Sequence, residues 1–144
     1  MQASREAIFN ELNDLGLSYY AKASNGEYPV VLEEEGRRVT LAWVDGQPIL
    51  THTYEVNGVS KEKFFAWCQD YVPNVKQIAP NTVEYHDRGV DGGCSIVHQR
   101  LKPGIPFVAN RSVMAATYTK KTEIDGVETL VFIMSSKGNE HLVE

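Results

Sequence analysis

The chain has 144 residues, a net charge of −5, 42% hydrophobic and 23% charged residues, and two cysteines. That is one domain's worth of chain, with enough apolar content for a single core. The acidic balance argues against the basic footprint that a nucleic-acid partner requires. No run approaches the roughly 18 apolar residues of a spanning helix. The charged, periodic N-terminus does not read as a signal peptide, and two cysteines, Cys68 and Cys94, do not make a stapled secreted scaffold. The expectation is a reduced, cytoplasmic protein.

Taken in chain order, Ser4 is placed to cap a first helix whose Ile8, Leu12 and Leu15 fall on one face, with Gly16 as its stop. Residues 17–29, rich in Ser, Asn, Gly and Pro, read as a loop. From Pro29 the period changes to two. Val39, Leu41 and Trp43 alternate with Thr40 and Ala42, and "DGQP" turns the chain into "ILTHTYEV". The run "LEEEGRR" between residues 32 and 38 reads as a solvated turn. Helical spacing returns after Ser60, with Phe64, Trp67 or Cys68, and Tyr71 as the stripe and Pro73 as the stop.

Four strands close the sequence. "NTVEYHD" and "CSIVHQRL" are joined by the glycine-rich "RGVDGG"; "RSVMAATYTKK" and "ETLVFIMSS" are joined through Asp125-Gly126, a strong two-residue hairpin signal. The order is helix, two or three strands, helix, four-strand meander, which is α+β. Across the Asp125-Gly126 turn, Thr117 comes near Met134 and Thr119 near Phe132. A curved sheet gripping a helix would gather Trp43, Tyr54, Tyr85 and Phe132 on its concave side; the alternative is a solid core.

The stretch from "FFAWCQDYVP" through "CSIVHQRLKPGIPFVANRSVMAATYTKK" to "VFIMSS" resembles the START family of lipid-transfer domains, within the wider helix-grip superfamily. The resemblance covers roughly residues 39–136. Pro106 matches the family's proline turn, Arg111 its strand-opening arginine, and Ser135 or Ser136 its terminal serine. Ser112 stands where the family usually has Asp. The sequence given stops at Glu144, before the long C-terminal helix that closes the family's cavity. The resemblance therefore implies a version without that lid, which calls for a partner or a second copy to cover the opening.

What the resemblance implies is a non-enzymatic module that holds a sterol, phospholipid or acyl ligand and makes transient membrane contact. Its implied ligand-binding residues are Trp43, Trp67, Tyr85, His98, Arg111, Val113, Ala115, Thr117, Phe132 and Met134, with no cofactor and no metal. At roughly 0.8 kcal/mol per buried CH₂, an apolar body outweighs what one arginine contributes. Arg111 has two readings: it pairs with a ligand head group in a cavity, or it snorkels to solvent at a strand end. Two further functions stand beside the carrier. One is a helix-grip enzyme using Tyr85, His98 and Arg111 as acid, base and anion holder. The other is an interaction module, including a homodimer, built on the concave face. Either "RGVDGG" or the 102–110 loop would open for ligand exchange.

Overall fold

Capping decides where the first helix begins. The Ser4 carbonyl accepts the first helical bond, from Ile8 at 3.0 Å, and its Oγ accepts the Ala7 N–H at 3.1 Å, satisfying a donor that has no partner within the helix. In this computed structural model, which describes residues 4–69, 74, 82–91 (backbone) and 94–137, helix α1 spans Arg5–Ser24. The expected stop at Gly16 does not hold. A mid-helix glycine costs only about 1 kcal/mol, and Leu17, Tyr19, Tyr20 and Ala21 carry the helix on. The real stop is Gly26 at φ 88°. There the Glu27 N–H donates to the Lys22 carbonyl at 3.1 Å, the six-to-one bond of a Schellman cap.

The chain divides into two compact units, Glu11–Val59 and Met1–Asn10 with Ser60–Glu144. The first unit carries a three-stranded antiparallel sheet in the order β1 (Val30–Glu34), β2 (Arg37–Val44), β3 (Gln47–Tyr54). The charge run is thus a hairpin, with Glu33 facing Arg38 and Glu34 facing Arg37 across the Glu35-Gly36 turn. Asp45 and Gly46, at φ 49° and 75°, form the next turn, so Gln47 and Pro48 belong to the strand instead of the turn. Ala23, Tyr28, Val39 and Thr40 are its buried residues. β3 is an outer strand, and its sequence QPILTHTY contains no Lys, Arg, Asp or Glu.

In the second unit, Ser60 caps α2 (Lys61–Gln69): its Oγ accepts from Lys63 at 3.2 Å and its carbonyl from Phe64 at 3.0 Å. Phe64, Trp67 and Cys68 are half-buried; Tyr71 and Pro73 lie outside the described residues. A four-stranded antiparallel meander follows, in the order β4 (Thr82–Asp91), β5 (Cys94–Leu101), β6 (Arg111–Ile124), β7 (Val127–Ser135). β4 runs to Asp91, opposite Cys94. Most of the supposed "RGVDGG" loop is therefore bulged strand, and Gly92 and Gly93 lie outside the described residues. Among the described residues the fold is α+β, with two helices and two antiparallel sheets.

Burial in the meander is centred on β5 and β6. Cys94, Ile96, Val97 and Ala115 through Tyr118 are all buried, so consecutive residues, pointing to opposite faces, are both covered. Phe9 of α1 meets Tyr118 with ring centroids 6.2 Å apart, and Lys120 stands 5.6 Å from the Phe9 ring. On the other parity, Lys121 stands 5.8 Å from the Phe65 ring of α2. The β6–β7 ribbon is thus held by an aromatic ring on each side, each joined by a cation–π contact.

Candidate functional site

Register decides which of the candidate residues can act together. The two-residue turn at Asp125-Gly126, with φ 50° and 78°, pairs Ile124 with Val127. It sets Thr117 opposite Met134 and Thr119 opposite Phe132. Between β5 and β6, Leu101 pairs with Arg111, Gln99 with Val113, Val97 with Ala115 and Ser95 with Thr117. Directly opposed residues share a face. One sheet face is therefore made of Ser95, Val97, Gln99 and Leu101; Arg111, Val113, Ala115, Thr117, Thr119 and Lys121; and Leu130, Phe132 and Met134. Backbone position 85 joins it by standing opposite Gln99.

On β5, β6 and β7 this odd-numbered face has no acidic or basic side chain between Arg111 at one end and Lys121 at the other; on β4, backbone position 87, an aspartate, stands opposite Val97. Its centre is sealed by the protein itself: Val97 is 1% exposed and Ala115 2%. Thr117, also buried, satisfies its hydroxyl by donating to the Ser95 carbonyl at 3.3 Å. Its flanks are open. Val113 is 39% exposed, while Leu101, Leu130, Phe132 and Met134 are half-buried.

His98 does not belong to this face. It pairs with Met114, on the even-numbered side with Ile96, Arg100 and Tyr118, so the expected grouping of His98 with Arg111 and Thr117 is split by the sheet. The same split puts His98, the expected base, and Arg111, the expected anion holder, on opposite faces. Arg111 is exposed at the first position of β6, which matches the snorkelling reading. Trp43 lies in the other sheet and is 70% exposed. Trp67, half-buried on α2, accepts a hydrogen bond at its carbonyl from the Asn74 side-chain amide at 3.2 Å. Val97, Gln99, Leu101 and Leu130 join the face only through the pairing, which is why strand alternation alone did not select them.

A second concentration of polar groups lies in the three-stranded sheet. Arg37 Nε donates to His52 Nε2 at 3.0 Å, which makes that nitrogen the unprotonated acceptor. The His52 ring lies 5.0 Å from Tyr54. An open notch of about 490 Å³ runs past Glu35, Gly36, Arg37, His52, Tyr54 and Glu55. Arg37, His52 and Tyr54 are all exposed, and among the described residues no three His, Cys, Asp or Glu side chains could hold a metal ion. The notch therefore offers solvated hydrogen bonds and no shielded chemistry. No helix among the described residues is long and apolar enough to cross a membrane.

Compared with family models, with curated proteins and with solved structures, the chain matches none.

Proposed function

We propose that the protein is a lipid-binding module that holds a sterol, phospholipid or acyl chain along the open flanks of the odd-numbered β5–β7 face. In this reading the sheet curves round its helix in the helix-grip manner. One observation carries it: on β5–β7 the strip from Val113 to Phe132 carries no charged side chain, and outside its covered centre Val113 is exposed while Phe132 and Met134 are only half covered by the chain's own atoms. An apolar ligand gains roughly 25 cal/mol for each Å² it removes from water there. Gln99 and the hydroxyl of exposed Thr119 supply polar points for a head group.

Native mass spectrometry before and after organic extraction tests this. A released lipid at near-stoichiometric occupancy is the expected result, and a bare monomer after exposure to mixed lipids overturns it. A second reading, an interaction module that pairs with itself, draws on the exposed Trp43, Leu50 and Tyr54 of β2 and β3. Across that hairpin Trp43 faces Pro48 and Leu41 faces Leu50, an apolar row of the kind that marks an association surface. Concentration-dependent sedimentation distinguishes it from the carrier.

A further inference from the structure

The loop Lys102–Asn110, between β5 and β6, presents apolar side chains where a connector would present polar ones. Ile105 is 61% exposed, Val108 40%, and Phe107 is fully exposed. Phe107 also adopts φ 67°, a backbone region that a bulky side chain enters only at a cost. The tip is preformed. Gly104 takes φ 74°, the Val108 N–H donates to the Ile105 carbonyl at 3.2 Å, and Pro103 and Pro106 each fix a further dihedral. Binding through such a tip loses little conformational freedom.

Charge is distributed to match. Residues 92–122 carry 5 of the chain's 14 Lys and Arg and none of its 19 Asp and Glu. The rest of the chain therefore has 9 cations against 19 acids. Two of the five cations, Lys102 and Arg111, are exposed at the two feet of the loop. Arg100 stands opposite Glu84. Lys120 and Lys121 lie at the other end of β6, beside Phe9 and Phe65.

We propose that this loop is a membrane-docking tip. Ile105, Phe107 and Val108 enter the boundary between head groups and acyl chains of an anionic bilayer, while Lys102 and Arg111 meet the lipid phosphates. Lipid is favoured over a protein groove because a local basic pair on an otherwise acidic chain orients this end toward an anionic surface. The inference does not require an apolar ligand on the β5–β7 face and stands or falls separately from it.

The test is co-sedimentation of the full chain with phosphatidylcholine vesicles, with and without phosphatidylserine. Binding is expected to the anionic vesicles, to be weaker on the neutral ones, and to fall as salt is added. Phe107→Ser is expected to weaken it roughly tenfold and Lys102→Glu more than about fivefold. Phe107→Trp, read against the native Trp43 and Trp67, should shift to the blue on vesicles and be quenched by brominated acyl chains. Absence of binding to both vesicle types overturns the proposal. So does Phe107→Ser binding as well as wild type, or a Phe107→Trp emission that vesicles do not move, as a tip seated in a protein groove would give.

Discussion

Val97 and Val113 carry the same side chain on the same sheet face, yet differ in exposure, 1% against 39%. Replacing each by alanine therefore measures burial with the chemistry held constant. At Val97 the lost transfer free energy is roughly 1.6 kcal/mol for two methyl groups. The partly relaxed void brings the expected loss to about 2 kcal/mol. For 144 residues unfolding as one cooperative unit, the unfolding entropy is roughly 0.3 kcal/mol/K, so Val97→Ala should lower Tm by roughly 7 °C. Val113→Ala should cost less than about 1 kcal/mol, because much of that side chain is already in water. Urea unfolding with unchanged m values would read both. The lipid-binding proposal adds a crossed expectation: Val113→Ala weakens capture of an apolar probe, while Val97→Ala leaves capture near wild type at temperatures where it is folded. Equal stability losses at the two sites, or a probe affinity that falls more for Val97→Ala, would refute the reasoning.

Thr40 is 2% exposed, and its hydroxyl has no hydrogen-bond partner among the described residues. Thr40→Val should therefore stabilise the chain by about 1 kcal/mol, read by chemical denaturation; a loss of that size would mean the hydroxyl is satisfied. Gly126 sits at φ 78° with open space where a Cβ would stand, so Gly126→Ala should cost about 1 kcal/mol from backbone strain alone. A neutral result in the same assay would contradict that. Burial pushes the Cys68 thiol up from its ordinary range. Iodoacetamide should accordingly modify it more slowly near pH 8 than a small free thiol. Deprotonation at higher pH favours the unfolded chain, in which the thiol loses its proton more readily, so this contribution lowers stability as pH rises through the thiol range. Rapid alkylation of Cys68 at neutral pH would contradict the assignment.

Local signals were legible where they act over a few residues. Ser4 and Ser60 cap the helices they precede, and Asp125-Gly126 fixes a hairpin whose Thr117–Met134 and Thr119–Phe132 pairs follow from counting outward. Gly16 misled because a glycine's helical penalty is small beside the propensity of the residues after it. The missing signal was Asn25-Gly26, where Asn25 Oδ1 also accepts from the Glu27 N–H at 3.0 Å. The placement of His98 was not readable at all. Its face depends on the β5–β6 register, and those strands are joined by the long Lys102–Asn110 loop instead of a tight turn. A one-residue change in such a register exchanges the two faces, so alternation within each strand cannot say which residues meet.

The charge-free outer strand β3 sets a condition for handling the protein. Gln47–Tyr54 offers an open row of amide and carbonyl groups with Pro48 as its only interruption. It carries no lysine or glutamate to repel an approaching copy. In concentrated solution, chains can therefore be lost by strand-to-strand addition while every one of them remains folded. Raising the salt would not prevent this, because it screens the repulsion between net-negative chains and leaves the uncharged strand edge as it is. A single lysine at exposed Leu50, which faces Leu41, would place a charge in the middle of the row and slow that loss.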